Sequence, residues 1–549
     1  DLAGTANPNS LTLRQDLAFA DSDIPAQSQF GAIFNCMPYT IQSRSGSVTI
    51  TTASKVANTA LTLIGNSIAI STGGPLSLCS LNTTGPTSLG NSTITVNGDL
   101  IFSSRVTLTG DAELSSGNFL LALQQGADAG AFNLTLTGDE INIGNDGSQG
   151  LTGIGILTLQ PGKDATAILL GGTGPDVASQ LDLTDSDLAN AQNDASWSRL
   201  IIGRATTGTH SISTGGALTL NQRTLVQAPA GAGAITVNHA ILGNSAGQLE
   251  FDSGSGNITL GSSIETVGGE IRFRDEVRIS GASVIVNSEG GNINFDAAVE
   301  GTGAGGQNLS LSAGSGSVNL PSGAGVLTSL GFLGIDGSSI NANNTLRANA
   351  ITLTGGIVAL QSVTTLVGDF ASSGSTYSSG AVTSAGSIAL NHTGDINALG
   401  LLTAGSFITT SGAVTSLTQG ATSIGGQLYA ATSLRLSGDL TSSAAGAIDI
   451  NAPLLLLVNG IDITTNGASA IDDIFFRSTV DGSGSPFSLT ANAGNLGSVV
   501  FSGAVGGIQA LSTLNATGAS IDLDAPAFNA GTIAFNGPAS ISAGSVTIN

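Results

Sequence analysis

Between Gly247 and Leu320 one short pattern recurs at a fixed interval: Leu249/Phe251, Ile271/Phe273 and Ile293/Phe295, each apolar pair 22 residues after the one before. A fourth pair, Val318/Leu320, follows after 25, as though three residues had entered the glycine-rich loop between them. Alternation of period two marks a strand with one buried face. A buried pair that returns every 22–25 residues sets each strand above its predecessor, once per turn of a coil. The pattern therefore predicts an all-β chain wound as a parallel β-helix, a β-solenoid.

The same unit runs through most of the chain. It begins at Gly46 with Val48/Ile50 and continues as Ile68/Ile70, Leu76/Leu78, Ile94/Val96, Leu100/Phe102, Leu134/Leu136, Ile141/Ile143 and Leu157/Leu159. Leu218/Leu220 and Ile235/Val237 lead into the regular stretch. A near copy of that stretch spans Ile474 to Phe501. Ile474, Phe476, Val480, Asp481 and Gly482 align there with Ile293, Phe295, Val299, Glu300 and Gly301. Leu489 is matched to Leu311, and Val499/Phe501 to Val318/Leu320, again 25 residues after Ile474. Residues 46–549 are expected to form the solenoid, with on the order of 22 coils at this repeat length.

Composition fits a narrow continuous core. The 549 residues include 78 glycines and only 9% charged residues, with a mean hydropathy of +0.30, too apolar for a disordered chain. The densest apolar run, Leu454–Val458, is far shorter than the roughly 18 residues a membrane helix needs, so no membrane span is expected. Fourteen basic against 37 acidic residues give a formal charge of −23, which argues against nucleic acid and anionic membranes as partners. A solvated acidic surface is the plain reading of that excess.

Two segments depart from the repeat. Residues 1–45 carry Cys36, Met37 and Tyr39 but no strand unit, and are expected to be an N-terminal cap or assembly segment. Such a segment would cover the unpaired edge of a first coil. Residues 174–204 interrupt the pattern. Thr184 and Asp187 approximate a capping box, and Leu188, Ala189 and Ala191 support a short helix ending near Asn193 or Asp194, an insertion at about 174–200. Asp1-Leu2-Ala3-Gly4 does not open as a signal peptide, which suggests a processed or internal region.

Groups that could carry chemistry are few. His210, His239 and His392 are dispersed without metal-ligand spacing and read as solvated or core-edge residues, and the serines lack a nearby base. Gly301–Gly306 fits G-x-G-x-x-G, but a strand rather than a helix follows, so it is no nucleotide loop. The chain is accordingly not expected to be an enzyme or to hold a cofactor. Asp176, in a single G-G-x-G-x-D match, and Asp182, Asp185 and Asp187 are the candidates for Ca²⁺, as are Asp472 and Asp473; capping and solubility are the competing roles. Trp197, the only tryptophan, is either a stacking platform for a sugar or a hydrophobic anchor for the insertion. Cys36 and Cys79 are compatible with one disulfide or two free thiols. Strand-borne partners two coils apart would be roughly 9–10 Å apart, too far for a bridge, unless Cys36 lies in an irregular segment.

The unit GGNINFDAAVEG…LSLSAGSGSVNL resembles the repeats of large bacterial surface proteins of the filamentous haemagglutinin type. The segment LTLQPGKDATAILLGG…LDLTDSDLANAQ…LIIGRATTG is similar to a unit of their cyanobacterial and proteobacterial members, and the resemblance covers roughly residues 150–549. It implies a right-handed parallel β-helix, export to the cell surface, and a part in adhesion, matrix or filament formation. The secretion domain of a complete family member is not recognisable. The expected function is an extracellular structural protein whose rods assemble head to tail into filaments, with the last strand unit, Gly544–Asn549, covered by the N-terminal segment of the next copy. The alternative is a monomeric adhesin that binds glycans or other cells' surfaces through its loops.

Overall fold

The computed structural model describes residues 10–13, 17–19, 37–43, 46–50, 59–72, 74–144, 149–173, 179–192, 197–244, 247–542 and 546–549. The described chain is nearly all-β, 57% strand with one helix, and its strands pair in parallel with strands one coil away as a β-solenoid of about 23 turns. It falls into two compact units, Asp1–Val277 and Arg278–Asn549.

In the first unit the 22-residue interval is the ladder register itself. Leu249 pairs with Ile271 and Phe251 with Phe273, and the two phenylalanine rings stack with centroids 5.3 Å apart. The ladder starts earlier than Gly46. Met37–Ser43 pairs with Thr59–Ile64 and Ser10–Leu13 pairs with Thr40–Ser43, so strands lie within the segment expected to be an irregular cap. No glycine announces these strands, which is why the repeat pattern passed over them. The helix is Asp185–Ala191, with Gln192 as its C-cap. Its capping box is complete: Asp187 N–H donates to the Thr184 hydroxyl, and the Thr184 N–H donates to the Asp187 carboxylate. Cys79, in the bend between Pro75–Leu78 and Ser80–Thr84, is buried and disulfide-bonded; Cys36, the only other cysteine, lies outside the described residues.

The second unit winds over three faces. Leu309, Val318 and Ala324 take them in turn, and Leu333, Ile340 and Leu346 pair with those residues one coil on. Ile351, Val358 and Val363 take the three faces again, paired with Phe370, Tyr377 and Val382. Following the pairings forward places Ile388, Ile408, Gln427, Ile448 and Ile474 on the face of Ile351. Ile293, however, pairs with Val318, on the face of Ile340 and Val358. The near copy is thus rotated by one face relative to its original. Its strand Ser488–Asn492 also buries Leu489 where Asn308–Ser312 buries Leu309, so Leu489 corresponds to Leu309 rather than Leu311.

Inward Ile, Leu, Val and Phe side chains form ladders of almost complete burial. Each full burial of such a side chain is worth about 1.5–3 kcal/mol. Phe476 and Phe501 stack at 4.8 Å with planes 3° apart, and Phe528 meets Phe501 edge-on at 5.5 Å. Phe501 therefore joins three successive coils. Replacing it in Phe501→Ala is expected to destabilise this segment by about 3–5 kcal/mol. Hydrogen exchange should report faster opening of the strands at Ile474, Ser498 and Ser520; unchanged protection there would refute the shared ladder.

Candidate functional site

The residues nominated for calcium are occupied with the fold. Asp187 is buried, and besides capping the helix it accepts from Ile143 N–H at 3.3 Å. Asp185 Oδ1 accepts from Gly172 N–H at 2.9 Å, and Asp182 Oδ1 from Gln180 Nε2 at 2.5 Å. Asp176 lies outside the described residues, and no group of three or more His, Cys, Asp or Glu suited to a metal occurs among those described. Asp472, buried, accepts from Gly446 N–H at 2.8 Å and Ser469 N–H at 2.8 Å, and Asp473 from Ser498 N–H at 2.7 Å. Trp197 is a correction to the sugar-platform reading. It is 3% exposed, and its indole N–H donates to Ala191 O at 2.9 Å. The ring lies over Gly153, where an added Cβ would be 2.6 Å from it, so it pins the helical insertion and offers no open face to a ligand.

Two histidines are inside the solenoid rather than at its edge. His210 points Nδ1 at Asp164 O, 3.2 Å away, and Nε2 at Gln227 O, 3.1 Å away. Arg204 donates to Pro161 O and Gly162 O, so the PGKD loop is held by the GRATTGTH segment one coil on. Burial pushes the His210 pKa down against these carbonyls. His392 has Ser372 Oγ 3.1 Å from Nε2 and no partner at Nδ1, with Tyr377 packed against its ring at 5.3 Å. Burial pushes its pKa down to about 4.

A charge cluster sits on the outward side of Leu249–Ser253. Glu250, buried, receives Arg199 from one side and Arg274 from the other, with Arg274 Nε donating at 2.6 Å. Arg274 also reaches Asp252 at 3.3 Å, while burial outweighs that cation and raises the Asp252 pKa. The cluster spans several coils, since Arg199 lies two coils before Glu250 and Arg274 one coil after it. Losing one partner of such a buried set leaves an uncompensated charge, so its role is to bind coil to coil.

The arrangement that stands out occurs twice, once in each copy of the duplicated stretch. Glu300, buried on the strand Val299–Gly301, accepts from the N–H groups of Leu327 and Thr328, the latter at 2.7 Å. Asp481, buried on Val480–Gly482, accepts from Ile508 N–H at 2.8 Å and Gln509 N–H at 3.3 Å. In both, a glycine just before the tip has positive φ, +68° at Gly325 and +66° at Gly506. A Cβ there would fall 2.0 Å from Arg347 O or 2.2 Å from Asn529 O, so the close turn requires glycine. Each glycine N–H donates at 2.7 Å to the preceding coil, at Val299 O and Val480 O respectively. The carboxylate fixes a turn whose next side chain points into solvent: Leu327 is 82% exposed and Ile508 92%. Sequence reasoning aligned Glu300 with Asp481 without giving them a role. The signal was an acid kept at a strand position with an apolar residue 27 positions on in both copies.

No family model, curated protein or solved structure matches this chain.

The lowered pKa of His392 makes one pH dependence calculable. The unfolded chain binds a proton near pH 6.5 and the folded one near 4, so the unfolded state holds more protons between those values and stability falls as pH drops through that window. From pH 7 to 4.5 the loss from this group should be on the order of 2 kcal/mol. It should be absent in His392→Leu, read as the difference between the two proteins in local unfolding free energy by hydrogen exchange around Ser372–Thr410. Equal pH dependence in both would contradict the burial of this ring.

Proposed function

We propose that this chain is an extracellular structural protein, a β-solenoid that assembles with further copies of itself, head to tail, into filaments. The observation that carries the reading is where the polar side chains go. Asp111 accepts from Asn133 N–H at 2.9 Å, Asp275 from Ser253 N–H at 2.7 Å, and Asp369 from Ser387 N–H at 2.7 Å, each bond crossing from one coil to the next. Asn319 donates to Asn294 at 2.6 Å and Asn341 donates to Asn319 at 3.0 Å, a polar ladder along the coil axis. Arg477 forks onto Asp449 at 2.7 and 2.8 Å in the same direction. Side chains committed to holding neighbouring coils suit a protein whose work is mechanical continuity. They are ill placed to converge on a substrate.

Two further points favour this reading. Parallel strands stacked this way pair through backbone groups alone, so the chemistry that joins coil to coil can also join copy to copy. The disulfide at Cys79 suits an oxidising, exported setting. The glycan-binding alternative places the ligand on the loops and the 174–204 insertion, and within that insertion the ring of Trp197 is enclosed.

Negative-stain microscopy and sedimentation of the purified chain over a concentration series test the proposal. Filaments or a concentration-dependent series of oligomers are expected. A monodisperse monomer throughout the series would overturn it.

A further inference from the structure

We infer that the second unit binds ordered water inside its core, against His392 and Ser372 on neighbouring coils and against Thr410 and Thr415 on the coil that follows. The site belongs to the single chain and stands whether or not copies assemble. Its strands, Phe370–Ser379, Ile388–His392, Ile408–Leu417 and Gln427–Leu436, succeed one another coil by coil. Most inward positions of the solenoid carry Ile, Leu, Val or Phe, whereas this stretch turns hydroxyls and an imidazole inward.

Neighbouring polar side chains in the same interior are satisfied within the protein. The Thr365 and Ser384 hydroxyls bond each other at 2.8 Å. Gln427, buried between Ile408 and Ile448, accepts from the Tyr429 hydroxyl at 2.7 Å and donates to Thr441 O at 2.8 Å and Ser423 Oγ at 3.1 Å. His392, Thr410 and Thr415 are enclosed as deeply, at 2%, 1% and 0% exposure. Against that pattern, His392 Nδ1 and both threonine hydroxyls meet no partner among the described residues.

The hydrogen count at His392 cannot be closed by the protein. Ser372 Oγ lies 3.1 Å from Nε2. With the ring hydrogen on Nδ1, the serine O–H donates to Nε2 and the Nδ1–H is left over. With it on Nε2, that N–H donates to the serine oxygen and the serine O–H is left over. Either tautomer strands one buried donor. Thr410 and Thr415 each add another from the next coil, where Thr410 pairs with Leu390 and Thr415 with Ile396. A buried donor without an acceptor forfeits its hydration, and a water molecule, which accepts two hydrogens and donates two, restores it. Room comes from small inward residues on the same two coils: Ala398 and Ala404 with His392, Ala421 and Ser423 with Thr410 and Thr415.

The test uses the full chain and the isosteric variants Thr410→Val and Thr415→Val, with amide exchange across Ile408–Leu417 as the first readout. Removing a hydroxyl that bonds water loses a hydrogen bond, so exchange should accelerate by about fivefold in each variant. Removing a hydroxyl without a partner relieves a buried polar group, and unchanged or slower exchange would overturn the inference. Water-edited solid-state NMR of the hydrated, sedimented parent chain is the second readout. Magnetisation from water should reach the Thr410 and Thr415 methyl groups well before those of Val499, which lies in the apolar ladder. Transfer as slow as to Val499 would overturn the inference even where exchange accelerates, because the hydroxyls would then be bonded within the protein.

Discussion

Everything in this fold depends on parallel strands stacked in register, one coil upon the next. That arrangement satisfies strand N–H and C=O groups through the ladder, but at each corner the chain turns and the backbone leaves the ladder. Buried backbone groups must still find partners. Two devices supply them. Hydroxyls at the corners close on turn carbonyls, as Thr266 does on Gly269 at 2.6 Å and Thr365 on Gly368 at 2.7 Å. Short carboxylates take the N–H groups of the neighbouring coil, as Asp111, Asp369 and Asp473 do. A hydrogen bond to a charged acceptor contributes about 1.5–3 kcal/mol, about twice a neutral one. Part of the acidic excess of the chain thus has a structural use that a solvated surface would not explain.

The rotation of the duplicated stretch by one face follows from the same constraint. Each face asks only for an inward apolar pair, so a strand unit such as Ile293–Phe295 or Ile474–Phe476 serves on any of them. The turn that follows travels with the unit, because its glycine, its carboxylate and its exposed tip are specified locally by Gly325, Glu300 and Leu327 or by Gly506, Asp481 and Ile508. Repetition in sequence therefore needs no symmetry in space.

The coil repeat was legible because burial imposes period two on each strand and the coil imposes 22 or 25 residues on their recurrence, and the pairings Phe251 with Phe273 and Ile474 with Val499 bear this out. The capping box at Thr184 and Asp187 was legible for the same local reason. Met37–Ser43 was not, since it joins the ladder without the glycine that marks other units. Nor was the interior placement of His392, because a polar residue in a strand reads as outward until its neighbours Ser372 and Tyr377 are known. The roles of Glu300 and Asp481 were hidden because their acceptor function depends on a turn 27 residues later that only coil geometry brings beside them.

The claim that carboxylates fix this solenoid coil to coil is tested most directly by amide exchange at Leu327, Thr328, Ile508 and Gln509. These amides lie in surface turns and would ordinarily exchange fast. The account predicts slow exchange at all four in the parent chain, with Leu327 and Thr328 alone accelerated by about tenfold or more in Glu300→Ala. Fast exchange in the parent chain, or no change on removing Glu300, would contradict it.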